Sequence, residues 1–204
     1  MPNEKNPDAF ATRIEEAVGR LRAIDPGELA RRGGLELDAD RLKLALLGTR
    51  YTLGWPDLVA RNPDGEVCPD HLRVLFLDYL CMGDGSSPTG TWIGYQELPD
   101  GAFYRQAFQG YSGDRLVREL GGDVDVFRRA AEAIGGEPFE MGDAGYVFQA
   151  LPNVPLAIVW WAGDDEFPAS ATVLFDEIAG RYLPTDGLAL LGSMLCSRLR
   201  KAAT

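Results

Sequence analysis

A chain of 204 residues, 46% hydrophobic and 25% charged, has the composition of an ordinary folded domain and excludes a disordered one, which needs low hydrophobicity with high charge. Its formal net charge of −11 sets up a field that repels a phosphate backbone, and no Lys/Arg run interrupts it, so nucleic acid is not an expected partner. No window reaches ~18 apolar residues and no basic start leads into an apolar stretch, so neither membrane spanning nor export is expected.

The first predicted element is a helix over residues 8–23, because Phe10, Ile14, Ala17, Val18 and Leu21 recur as one helical stripe. Asp25-Pro26-Gly27-Glu28 then supplies a cap, a proline for the first helical position and a glutamate two residues on, and Gly33-Gly34 stops the short helix that follows. These helices make up an N-terminal segment, residues 1–34, ahead of a single α+β domain over 35–204. From Leu35 the period changes to two: Leu42, Leu44 and Leu46 alternate with Arg41, Lys43 and Ala45, a meander closed at Trp55-Pro56.

Pro69 opens a helix that is apolar nearly all round and therefore central, and a Gly, Ser and Pro loop over 83–88 ends it. Thr91 to Tyr95 reads as an aromatic strand, and the later aromatics Phe103, Tyr104, Phe108 and Tyr111 fit core and edge positions of a mixed sheet. Ser112 or Asp114 caps one further helix and Asp123 another, each stopped by a Gly-Gly pair. Tyr146–Ala150 and Leu156–Trp161 read as paired strands around Pro152–Pro155, the second buried on both faces and central in its sheet. A long C-terminal helix starts at Pro184-Thr185-Asp186, with Thr185 as its cap, and the cost of Gly187 and Gly192 inside it implies close packing. The fold class expected is α+β: one mixed, mostly antiparallel sheet packed by helices.

Three consecutive carboxylates, Asp164-Asp165-Glu166, follow the most hydrophobic strand. Crowded carboxylates there would bind a cation or split into acid and base, while a solvated turn capped by Asp164 accounts for the same residues. Asp176 and Asp186 are further candidates for such a metal site. His71 is the sole histidine, and Cys68 with His71 gives only a C-x-x-H fragment of a zinc motif. No P-loop, dinucleotide fingerprint or nucleophile elbow occurs. The three cysteines, Cys68, Cys81 and Cys196, are odd in number and widely spaced, which suits reduced thiols in a cytoplasmic protein.

Trp92 with Glu97-Leu98-Pro99, the run Ala107 to Tyr111, the run Phe148 to Ala157, Gly163 to Pro168, Leu174-Phe175-Asp176 and Tyr182 to Asp186 together carry a resemblance. The chain resembles the uncharacterised prokaryotic family numbered 3786 among domains of unknown function, over roughly residues 40 to 200. The resemblance implies a protein of anaerobic metabolism, in a family some of whose members carry an added iron–sulfur module; the closely spaced cysteine set such a module needs is missing here. It also implies a tetrapyrrole- or corrinoid-related accessory role. The leading expectation is a small-molecule binding or accessory protein with a pocket between the aromatic strand and the acidic tip, its ligand-binding residues being Trp92, Tyr111, Asp165, Glu166, Tyr182 and Asp186. A metal-assisted hydrolase or lyase using Asp164, Asp165 and Glu166, and a non-catalytic partner-binding subunit, are the alternatives. The expected partner is a small molecule or a redox or corrinoid protein; no cofactor, catalytic residue or oligomeric state is specified.

Overall fold

Residues with a period of two pair into sheets and residues with a period of 3.6 pack over them. The computed structural model describes residues 7–204; the first six residues of the expected N-terminal segment lie outside them. Helix α1 (Pro7–Leu21) buries Ile14, Ala17, Val18 and Leu21, with Phe10 half-buried, as its stripe requires. Helix α2 (Pro26–Gly33) is capped by Asp25, whose Oδ1 accepts from the Glu28 amide at 3.1 Å, and ends on left-handed Gly34. The Glu28 carboxylate turns to the Arg31 guanidinium, at 2.7 and 2.9 Å.

The meander is an antiparallel sheet of β1 (Glu36–Asp38), β2 (Arg41–Leu46), β3 (Thr49–Gly54) and β4 (Val59–Arg61), in chain order. Its alternation holds: Leu42, Leu44 and Leu46 are buried, and Leu42 pairs with Leu53 across β3. The central helix is α3 (Asp70–Met82); Val74 to Leu77, Tyr79 and Leu80 are buried, and Phe76 packs on Tyr51 of β3 with ring centroids 5.2 Å apart. Arg13 of α1 bonds Asp78 of α3 at 2.6 Å.

The second sheet comprises β5 (Trp92–Gly94), β6 (Glu137–Phe139), β7 (Ala144–Leu151), β8 (Val154–Trp161) and β9 (Ser170–Asp176), in the order β5-β9-β8-β7-β6. β8 is central and buried from Val154 through Trp160. The fold is therefore α+β, with its strands divided between two sheets rather than joined in one mixed sheet. Among the described strands every pairing is antiparallel, since tight hairpins join most neighbours and need no parallel crossover. The sheets touch where the Leu47 amide donates to Ala150 O at 2.8 Å.

Helices α4 (Gly101–Tyr111), α5 (Gly113–Glu119), α6 (Val124–Ala133) and α7 (Thr185–Ala202) complete the chain. Phe103 to Tyr111 thus forms a helix and not sheet edge or core positions. Aromatics favour strands only weakly, and here Phe108 alone of the helix's rings is fully buried, stacked on Tyr95 at 4.2 Å, while Phe103 and Tyr104 remain 85% and 66% exposed. Phe127 of α6 stacks on Trp160 of β8 at 5.1 Å, fixing the helical layer to the sheet. The cap of α7 is Pro184, not Thr185, whose hydroxyl instead donates to Pro99 O at 2.6 Å. No helix among the described residues is long and apolar enough to cross a membrane.

Gly192 is where the expected close packing occurs, since a Cβ there would lie 2.9 Å from Phe108 Cζ. Phe108 is wedged among Tyr95, Tyr111 and Phe175 and has no room to retreat. Gly192→Ala should therefore lower stability by about 1 kcal/mol despite alanine's better helix propensity. Gly19→Ala, with nothing within 4 Å, should raise it by about 0.5 kcal/mol or more. Thermal melts of the two variants check this; a gain at both positions would mean that the contact at Gly192 is loose.

Candidate functional site

The acidic tip is the turn between β8 and β9, and its carboxylates do the work of a turn. Asp164 Oδ1 accepts from the amides of Phe167 and Glu166 at 2.7 and 2.8 Å, and the Asp164 amide donates to Phe167 O at 2.8 Å. The Phe167 amide, then that of Glu166, holds the Asp164 carboxyl below the usual carboxylate range. Asp165 and Glu166 are exposed beside it. Ser170, at the tip end of β9, pairs with Trp161, and Asp176, at the other end, pairs with Trp92. Six residues at ~3.3 Å each put the tip about 20 Å from Trp92, so these two do not enclose a common pocket.

The other expected site residues are also distributed. Tyr111 lies edge-on to Phe108 at 5.6 Å, and burial pushes its phenol up to about 12. Asp186 is exposed at the start of α7, 3.4 Å from Arg13. His71 is half-buried near the start of α3 and Cys68 is buried. Among the described residues, no group of three or more His, Cys, Asp and Glu gathers as metal ligands would. Tyr182 is fully buried and stacks on Tyr79 at 5.2 Å. Its hydroxyl donates to Ser86 O at 2.6 Å, which leads to the region that sequence reasoning passed over.

That region is the loop 83–91 between α3 and β5, and three side chains pin it. Asp176, fully buried, accepts through Oδ2 from the amides of Gly90 and Thr89 at 2.7 and 3.0 Å, and through Oδ1 from the Ile178 amide at 3.2 Å and the Thr89 hydroxyl at 3.4 Å. Tyr182 holds Ser86. Arg181 donates to the Ser86 hydroxyl at 3.1 Å and to Asp84 at 3.3 Å, while Asp84 Oδ1 accepts from the Ser86 amide at 2.8 Å. The Ser86 hydroxyl and amide, with Arg181, hold the Asp84 carboxyl below its ordinary range.

Over this pinned loop opens a hollow of about 490 Å³, lined by Ser86, Ser87, Thr89, Glu177, Ile178 and Arg181. Hydroxyls, one guanidinium and one carboxylate suit a hydrophilic, charged ligand group. Trp92 and Tyr182 flank the loop without lining the hollow. Two sequence signals pointed here: the dense turn residues from Gly83 to Gly90, with an Asp-x-Ser step that favours a local side-chain turn, and an aspartate ending the alternating run Ala171, Val173, Phe175.

Asp176 supplies a buried charge whose partners are almost all backbone donors, so replacing one oxygen by an amide group opposes donor to donor. Asp176→Asn should cost about 3 kcal/mol, roughly 10 °C in Tm, and remove hydrogen-exchange protection from the Thr89 and Gly90 amides. Unchanged protection of those two amides would show that the loop is held by something else.

No curated protein and no solved structure matches the chain. A family model, described as a domain of unknown function (DUF3786), matches residues 25–198, from the cap of α2 into the last turns of α7, and the chain belongs to that family.

Proposed function

We propose that the chain is a small-molecule binding or accessory protein, and that its ligand is a hydrophilic molecule, or a polar arm of a larger one, held over the loop 83–91. The observation that carries this reading is the hollow of about 490 Å³ whose floor is fixed by a buried carboxylate and whose rim presents Ser86, Ser87, Thr89, the Glu177 carboxylate and Arg181, itself paired with Asp84. Its size falls within the ~300–1,000 Å³ usual for ligand pockets, and a preformed floor spares the ligand the entropy of ordering a loop. A corrinoid or tetrapyrrole, which the family resemblance implies, would meet such a rim through its polar amide or carboxylate side arms and not through its ring, because aromatic walls are absent from the lining.

Tryptophan fluorescence of the apo protein, titrated with cobalamin, haem and a series of small di- and tricarboxylates and phosphate esters, tests the reading. A saturable change at roughly 10–100 μM that is weakened tenfold or more in Arg181→Gln is expected, with the variant's melting temperature within a few degrees of the parent's. No saturable response to any member of the series would retire the proposal. The Asp84 carboxyl sits below its ordinary range, so its contribution to the folded loop is complete above the unfolded value and is lost as pH falls through the lower folded value. Affinity should accordingly hold from about pH 7 to about pH 5 and decline only below the normal carboxylate range.

A second reading, a partner-binding subunit, draws on Phe103 and Tyr104, adjacent on α4 and 85% and 66% exposed. Light scattering of the parent and of Phe103→Ser separates the two: self-association abolished by that substitution favours a protein interface on α4.

A further inference from the structure

A second hollow lies between the β2–β3 turn and the C-terminal end of α7, away from the loop 83–91. Its helical wall is Met194, Ser197, Arg198 and Lys201, spaced i, i+3, i+4 and i+7 and therefore on one face of α7. Its other wall is Leu46, Leu47, Thr49 and Tyr51. Two cations enter this lining and no carboxylate does, in a chain whose net charge is −11. Cations in a last helical turn are ordinarily explained by the helix dipole. Arg198, however, reaches across the hollow, its Nη2 donating to Thr49 Oγ1 at 2.9 Å, which fixes one edge of the guanidinium and leaves its remaining donors free of any carboxylate among the described residues.

The turn that completes the hollow is built at a cost. Leu46 pairs with Thr49, so the turn has two central residues, Leu47 at φ 48° and Gly48 at φ 80°. Both positions of such a turn need the left-handed region, which Asn-Gly supplies cheaply and a leucine does not. Leu47 is nevertheless kept there, nearly buried, its amide tied to Ala150 O of the second sheet. The left-handed backbone at Leu47, a conformation also taken by Ala39, Leu58 and Asp100, sets an apolar side chain on the wall of the cation-bearing hollow.

We propose that this hollow binds a small amphiphilic carboxylate, its carboxylate between Arg198 and Lys201 and its hydrocarbon body against Leu46, Leu47, Tyr51 and Met194. A planar guanidinium fork with one edge already anchored matches two carboxylate oxygens, and the flexible thioether of Met194 adapts to the body. The hollow, about 200 Å³, is somewhat larger than the ~150 Å³ cavity that accepts a benzene ring, which suits an acid of four or five carbons.

The test is a titration with pentanoate, followed through the Met194 methyl signal in a methyl-labelled NMR spectrum, with 1-pentanol and inorganic phosphate as comparators. Pentanoate should saturate below about 20 mM, while neither comparator should shift that methyl at the same concentration. Lys201→Gln, at an exposed position, should weaken pentanoate roughly threefold or more, and Arg198→Gln roughly tenfold or more with the fold intact by circular dichroism. Should Arg198→Gln fail to fold, Lys201→Gln alone decides. The proposal is overturned by no saturable shift with pentanoate, by an equal response to pentanol or phosphate, or by unaltered affinity in the folded variants.

Discussion

Tyr79 and Tyr182 are the point on which separate parts of the chain are made to agree. Both rings are fully buried and stacked, and each hydroxyl is committed to backbone. Tyr79 donates to Gly33 O at 2.6 Å and accepts from the Asn153 amide at 3.1 Å, joining the end of α2 and the β7–β8 turn to α3. Tyr182 donates to Ser86 O and so holds the loop that follows α3. Burying two phenols is favourable only because every hydroxyl finds a partner; an unsatisfied one would forfeit much of the gain from ring burial. Desolvation raises the Tyr79 phenol far above its ordinary range, so the pair stays neutral and remains a donor at any physiological pH.

That agreement gives the loop 83–91 its shape without regular structure. Its three anchors come from β9, from the short turn after it and from the residue preceding α7's approach, all near one another in sequence, between Asp176 and Tyr182. The candidate site is therefore a product of two sequence-local segments pressed together by the stacked tyrosines. Arg22, Arg31 and Arg115 each face a carboxylate, Arg61 and Arg73 donate to backbone carbonyls, and Arg198 faces a hydroxyl in a hollow that Lys201 also lines.

Much of the architecture was legible from local chemistry. Caps at Asp25 and Asp123, the Leu42–Leu46 alternation, the all-round apolar helix after Pro69 and the central run Leu156–Trp161 each appear where expected, because each rests on interactions within a few residues. The short strands β4 and β6 escaped, since three residues carry no measurable period and neither lies in the run of aromatics that marks β5. β9 escaped although Ala171, Val173 and Phe175 alternate, because the carboxylates before it drew attention to the turn. The helix at Phe103–Tyr111 was misread because ring-rich segments suit strands, and only Phe108's seat beneath Gly192 selects the helix. The expected pairing of Trp92 with Asp165 and Glu166 needed the direction of β9, a nonlocal fact; the buried partner of that strand end is Asp176, whose Thr89 and Gly90 amide donors lie 87 and 86 residues away.

The β5–β9 pairing joins Trp92 to Asp176 and Gly94 to Leu174. Closing a loop of that length costs entropy, and on a ribosome it is impossible until β9 has emerged. Until then β8 has β7 beside it but no β9, α3 ends in an untethered tail, and the segment between Gly83 and Thr91 lacks the Asp176 carboxylate that holds Thr89 and Gly90. The candidate cradle thus assembles only after β9 has been made, and a chain cut short before Asp176 would lack the carboxylate and the two side chains after it that pin the loop.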